Sequence, residues 1–208
     1  MKIQVASFSA SGGAGNVAKN LVSGFQEIGV DATLNTFTDS NLRKEPLKNP
    51  AVTVSATFDN YVAKSKNWPS LISLTRDRVS LPVAVEKDTD ALILRWGNGL
   101  LNEKLISDLG SRTLVLGLDD MNYFTGGCHH AGEGKGFHSS CLSCPSVKRP
   151  FERMISLNLA RKKHLLAQVK NLLVVAPTKW MADEFKRSSL NDLADPVVIP
   201  NPLSHQYF

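Results

Sequence analysis

The sequence predicts an α/β chain, a doubly wound parallel sheet with helices on both faces. Short β-rich runs alternate with stretches of helical period. The first such run leads through a glycine turn into an amphipathic stretch, as βαβ units open. The connections between runs hold the chain's Gly-, Asp- and Cys-rich segments, and the carboxyl edge of a parallel sheet is where such folds bind ligands.

The elements follow in order. Lys2 to Phe8 alternates and is β-branched enough for a first strand, and Ser9 to Gly15 is a small-residue turn. From Asn16, the residues Val17, Leu21, Val22, Phe25 and Ile28 fall at helical spacing, with Gly29 as the stop. Val30 to Phe37 is a second strand. Asp39 to Asp88 is the least regular part: it contains Pro46, Pro50, Pro69 and Pro82, and a helix is expected from about Asn60 to Leu74, interrupted near Pro69. Asp90 to Trp96 is a buried strand, Gly97-Asn98-Gly99 a turn, and Asn102 the cap of a short helix to Leu109. Thr113 to Gly117 is the next strand. Phe151 to Val169 has helical period, Asn171 to Ala176 reads as a strand, Thr178 caps another helix, and Val197 to Ile199 is a last short strand before Pro200-Asn201-Pro202.

Composition narrows the function classes. The 208 residues can bury a sizeable core, and 42% hydrophobic with 21% charged residues is a globular composition. No apolar run approaches the roughly 18 residues of a spanning helix. The opening MKIQVASF enters a strand without a signal-peptide core, so a cytoplasmic location is expected. The net charge of +5 suits phosphates or an anionic membrane face, and solubility alone accounts for it as well; no nucleic-acid partner is expected. Basic residues scattered from Arg43 to Arg78, with Arg161 to Lys163, are the candidates for peripheral membrane contact.

The stretch from Leu118 to Pro145 carries the chemistry. It lacks either apolar period, yet holds Asp119 and Asp120, a Thr125-Gly126-Gly127 turn, all 3 cysteines and three of the 5 histidines. Adjacent carboxylates raise one another's pKa and suit acid–base or orienting work; a lone Asp also simply caps a turn. Lys179, at a helix start, could neutralise phosphate. Cys128, Cys141 and Cys144 have C-x(12)-C-x-x-C spacing with His129, His130 and His138 between. These would make a Cys₃His zinc site, which would order a loop without a core; three reduced thiols are the alternative. An odd number of cysteines in one loop argues against a disulfide framework. Gly12 and Gly13 would let a ligand approach the main chain at the helix start. Gly13-x-Gly15-x-x-Ala18 with Asp39 also satisfies a loose dinucleotide pattern, and a tight turn explains the same glycines.

DDMNYFTGGCHH followed by CLSCP resembles the loop of bacterial family-four glycosyltransferases, usually HDMWxFTGGCHY…C…CGxCP. SFSASGGAGNVAKNL resembles their first Gly-rich loop, LRWGNG their LHWxNG strand end, VVAPTKWMADEFKRSS their P-S-x-W-L helix start, and PVVIPNPLSHQYF their interdomain sequence. The resemblance covers nearly the whole chain outside about residues 40–88. It implies a GT-B enzyme, with this chain (1–208) as the N-terminal acceptor-side Rossmann-like domain, 200–208 as the start of the linker, and the donor domain beyond. Retaining sugar transfer from a nucleotide-sugar to a glycan or lipid-linked acceptor in surface-polysaccharide synthesis is what it implies. Asp119 and Asp120 would line the cleft, with Gly12, Gly13, Asn98, Thr125, Gly126, Gly127 and Lys179 at the substrate. The chain departs from the family at Asp119, where a His is usual, at Gly134, where a Cys is usual, and at Pro202, where a Gly is usual. A zinc site would therefore take His138 or His130 as its fourth donor. The other readings are a nicotinamide-dependent Rossmann protein and a non-enzymatic glycan- or nucleotide-binding module.

Overall fold

The computed structural model describes residues 1–38, 50–64, 72–73, 83–97 and 99–204. Their strands form one sheet of six parallel strands: β1 (Lys2–Ser9), β2 (Asp31–Thr38), β3 (Ala91–Leu94), β4 (Thr113–Gly117), β5 (Asn171–Ala176) and β6 (Pro196–Val198), in the order β2-β1-β3-β4-β5-β6. The helices are α1 (Gly12–Glu27), α2 (Pro50–Val62), α3 (Glu103–Leu109), α4 (Glu152–Leu166) and α5 (Lys179–Arg187). The fold is Rossmann-like, and strand order reverses between β1 and β3, so the crevice of such sheets opens at the ends of those two strands.

Two cores lie on the two faces. Ile3, Val5 and Ile93 meet Ala18 and Val22 of α1. Leu92, Leu94, Leu114 and Leu116 face the larger cluster, which takes in α3, α4, α5 and the long loop after β4. Register carries the first face onward from Val5 to Ile93, Val115 and Leu173. Leu173 is 53% exposed and Val197, beside Val175, 54%, so α1 covers only the β1–β3 part of that face.

Most local signals act as expected. Asn102 Oδ1 accepts from Leu105 N at 2.9 Å, Thr178 Oγ1 from Met181 N at 3.2 Å, and Gly29 takes a positive φ of 77° after α1. Two elements differ. First, α1 starts at Gly12 and not near Asn16, so the glycine turn is itself the helix's first turn. Gly15 is required there, because a Cβ would run into the backbone of Ala10 where helix and strand cross. Second, the helix expected from Asn60 does not continue past Val62, where α2 ends; Ala63 is bridged to Val147 and Ile72 to Cys128, and the rest of the span to Leu74 lies largely outside the described residues. Pro50 suits a first helical turn. The buried face of α2 is Ser55, Asp59 and Val62, so its helical period is written partly in polar residues and is invisible to a hydrophobic count.

The loop after β4 has a core of its own. Leu118, Met121, Phe124, Phe137 and Val147 are all buried in the main cluster. The Phe124 ring packs edge-on against Phe137 at 5.8 Å and against Phe185 of α5 at 5.6 Å. Packing orders this loop, so the coreless loop that a metal would have to order is not what forms. Among the described residues, no helix is long and apolar enough to cross a membrane.

Candidate functional site at the carboxyl edge of the sheet

The segment after β3 and the segment after β4 lock together first. Arg95 leaves the end of β3 with its side chain 4% exposed and ion-pairs with Asp119, 9% exposed. The same Arg95 Nη2 donates to Asn201 Oδ1 at 2.9 Å, and Tyr123 Oη donates to the Arg95 carbonyl. Gly117 leaves the room that the guanidinium fills, since a Cβ there would overlap it. Asn20 Nδ2 holds the carbonyl of Pro202 at 3.1 Å, so α1 and β3 both fasten the chain after β6. Burial pushes the Asp119 carboxyl up, against the pull of the Arg95 guanidinium. Among the described residues, Asp119 Oδ2 and Arg95 Nε are buried with no hydrogen-bond partner.

Asp120 is differently placed. Its Oδ1 accepts from Asn122 N at 2.8 Å, where the 3₁₀ turn Asn122–Phe124 begins, and its Oδ2 meets His129 Nδ1 at 2.5 Å. His129 Nε2 in turn meets Ser73 Oγ at 2.6 Å. This is a Ser–His–Asp chain, but Ser73 is 0% exposed, so the hydroxyl has no route to a substrate. Its effect is to fasten the loop: Ser73 N also donates to the Gly127 carbonyl at 2.8 Å. Both aspartates are thus engaged, Asp119 in a buried ion pair and Asp120 with the Asn122 N–H and His129.

Thr125, Gly126 and Gly127 are buried. Thr125 Oγ1 donates to the Cys128 carbonyl at 2.7 Å, Gly126 lies against the Ile155 backbone of α4, and Asn158 Nδ2 donates to the Gly126 carbonyl at 3.0 Å. Lys162 is 3% exposed and its ammonium donates to Asn122 O at 2.6 Å, Asn122 Oδ1 at 3.0 Å and Thr125 O at 3.3 Å. Lys162 therefore belongs to the loop's frame, and its neighbours in the basic run are paired, Arg161 with Glu103 at 3.0 Å and Lys163 with Asp192 at 2.9 Å. Of the membrane-facing candidates, most of Arg43 to Arg78 lies outside the described residues.

Gly12, Gly13 and Lys179 are exposed at helix starts of the same sheet edge. Trp180 beside Lys179 is 49% exposed and stacks on His130, rings 5.8 Å apart and 17° from parallel. Asn98 and Asp39 lie outside the described residues. A cleft of about 760 Å³ opens beside the ends of β1 and β2, lined by Ser7, Asn35, Thr36, Phe37, Val83 and Leu100.

The three cysteines do come together, all buried around one small cavity that Thr125, Gly136 and Pro145 also line. The Cys128 thiol donates to Cys144 Sγ, which drives the two thiols apart, Cys144 down to about 7 and Cys128 well up. Burial pushes Cys141 up to about 11. His138 does not join them: it is exposed, its ring 4.5 Å from that of Phe137. His130 is on Trp180. A tetrahedral site needs a fourth donor, and among the described residues no group of three or more His, Cys, Asp or Glu side chains could hold a metal ion. The expected zinc set of Cys128, Cys141, Cys144 and His138 is therefore not assembled.

The residues to which the sequence assigned no part in the site are Arg95, Ser73 and Lys162. Arg95 sat inside an apolar strand run and Lys162 inside the basic run Arg161 to Lys163, the signals that marked them; Ser73 carried none. No protein-family model matches this chain, and no curated protein matches it either.

Proposed function

We propose that this chain is the acceptor-binding domain of a retaining glycosyltransferase, which moves a sugar from a nucleotide-sugar donor to a glycan or lipid-linked acceptor. One observation carries the reading: the segments that resemble the family's motifs meet at a single sheet edge. The Gly12 turn, the Trp96–Gly97 strand end, the Asp119–Asp120 loop, the Thr178 helix start and Asn201 all converge there, tied by Arg95 and Asn20. The polar cleft at the ends of β1 and β2 is the acceptor's place in this reading. Asn35 and Thr36 offer it amide and hydroxyl groups, the chemistry that matches sugar hydroxyls, while the buried Ser7 hydroxyl is held by the Ser9 carbonyl. Gly12 and Gly13, with open space where side chains would stand, let a hydroxyl or phosphate reach the backbone N–H groups. The contribution of these residues is orientation of the acceptor, not covalent chemistry.

Calorimetric titration of the chain with oligosaccharide acceptors, nucleotide sugars and NAD tests the reading. Saturable binding of an oligosaccharide is expected, weakened about tenfold by Asn35→Ala through loss of one hydrogen bond. Binding of NAD with no oligosaccharide binding would replace the reading with a nicotinamide-dependent one.

A further inference from the structure

A row of aromatic rings runs along the carboxyl edge in strand order. Phe37, near the end of β2, lies 5.9 Å from Phe8 of β1. Phe8 lies 5.4 Å from Trp96, beyond β3, and Trp96 lies 6.1 Å from His129 in the loop after β4. The next residue, His130, stacks on Trp180 at the start of α5, 5.8 Å away. The sheet dictates this order, since successive strands supply a ring at or just beyond their carboxyl ends. The main chain fastens two of them, with Phe8 N donating to the Trp96 carbonyl at 2.8 Å. Phe8 is 5% and His129 4% exposed, so these two are the floor. Phe37 and Trp96 are only partly buried and Trp180 is 49% exposed, so the accessible rings stand on alternate elements of the row. Strands lie about 4.8 Å apart, which spaces the accessible rings by roughly 10 Å and the two end rings, from β2 to β5, by roughly 19 Å.

The two ends of the row offer different chemistry. At the β2 end Phe37 lines the cleft together with Asn35 and Thr36, which supply polar partners. At the α5 end the indole is the contact, and it is held in place from beneath. His130 stacks under it at 17° from parallel, and His130 Nδ1 accepts from Gly132 N at 3.1 Å. A ring fixed in this way loses little rotamer freedom when a ligand lands on it. Sugars match both ends, because a pyranose ring has an apolar C–H face that packs on an aromatic face and hydroxyls that need polar partners. A single sugar reaches only one end of the row. We propose that the ligand of this edge is a linear oligosaccharide of about four units, each advancing by about one strand spacing. Its first unit sits at Asn35 and Thr36, its middle passes over Trp96, and its far unit stacks on Trp180. The proposal rests on the acceptor reading above and narrows it: the substrate class is an already elongated glycan, and Trp180 is the residue that selects for length.

The test uses the full chain and calorimetric titration with linear gluco-, manno- and galacto-oligosaccharides of graded length, from one sugar to six. For the series that binds, affinity should rise with each added unit up to about four and then level off. Trp180→Ala should weaken the four-unit ligand by about tenfold, the loss of one stacking contact, and leave the two-unit ligand unchanged. Trp180→Phe should keep most of the affinity. Because Trp180 is half exposed, neither change disturbs the core, and circular dichroism should be that of the parent chain. Acrylamide quenching gives a second readout. The four-unit ligand should shield a tryptophan that is accessible in the parent chain and missing in Trp180→Phe, and the two-unit ligand should not. Trp180→Ala with parental affinity for every length would overturn this proposal; if Asn35→Ala still weakens binding, the acceptor reading stands without it. Affinity that stops growing at one or two units would overturn it too. No binding by any series would remove the acceptor reading and this proposal together.

Discussion

The buried pair of Arg95 and Asp119 offers the sharpest test of how the two halves of the site are joined. Asp119→Ala leaves a guanidinium that is 4% exposed with Asn201 as its other side-chain partner, and Arg95→Met leaves a carboxylate that is 9% exposed. Breaking a buried pair from one side costs about 3–5 kcal/mol, because the survivor is an uncompensated charge. Removing both is different. Burial is the largest single influence on the Asp119 carboxyl and, with Asp120 beside it, leaves the group raised in spite of Arg95, so the desolvation cost weighs heavily at this site. The double variant Arg95→Met/Asp119→Leu should therefore lose only about 1–2 kcal/mol, including the Asn201 hydrogen bond. The cycle then gives a coupling of several kcal/mol. Urea unfolding followed by circular dichroism measures all four proteins, with shifts read from the midpoints at constant m. Single variants that each cost under about 1 kcal/mol and add in the double would refute the reasoning. Asp119 would then be a cleft carboxylate with structural freedom, not a locked one.

Other outcomes follow from the loop's packing and its thiols. Phe124→Ala should destabilise by about 3–5 kcal/mol, since the ring is fully buried between Phe137 and Phe185; a loss under 1 kcal/mol in urea unfolding would mean the loop is not packed this way. Gly126→Ala should cost about 1–3 kcal/mol, because the new methyl meets the Ile155 backbone, which cannot turn aside, whereas Gly24→Ala, open on α1, should be neutral or stabilising. In the reduced chain, thiolate absorbance near 240 nm should show one cysteine titrating at about 7. Its folded value lies below the unfolded 9.0, so Cys144 adds stability as pH rises above about 7, until the raised Cys128 and Cys141 thiols, which hold their protons only when folded, turn the profile down near 9. Cys144→Ser should abolish that rise; a flat profile in the wild-type chain would count against the Cys128–Cys144 hydrogen bond.

The parallel α/β architecture was legible in the residues because it rests on local periodicity. Apolar runs such as Leu114–Leu116 and Leu172–Ala176 and caps such as Asn102 and Thr178 act within a few residues, and the folded chain uses them as the sequence suggests. The helix α2 was not legible, because its inward face uses the polar Ser55 and Asp59, which a hydrophobic count misses. Partners distant in the chain hid the roles within the loop. Asp119 and Asp120 are neighbours with equal chemistry in the sequence, yet Arg95 reaches one across the sheet and His129 folds back onto the other. The cysteine spacing named three residues that the fold does gather around one cavity. Tertiary packing left His138, the expected fourth donor, at the surface. Periodicity and capping are short-range quantities that a sequence carries whole; charge partners and sulfur neighbours are set by contacts between residues tens of positions apart, and only the folded sheet edge brings those together.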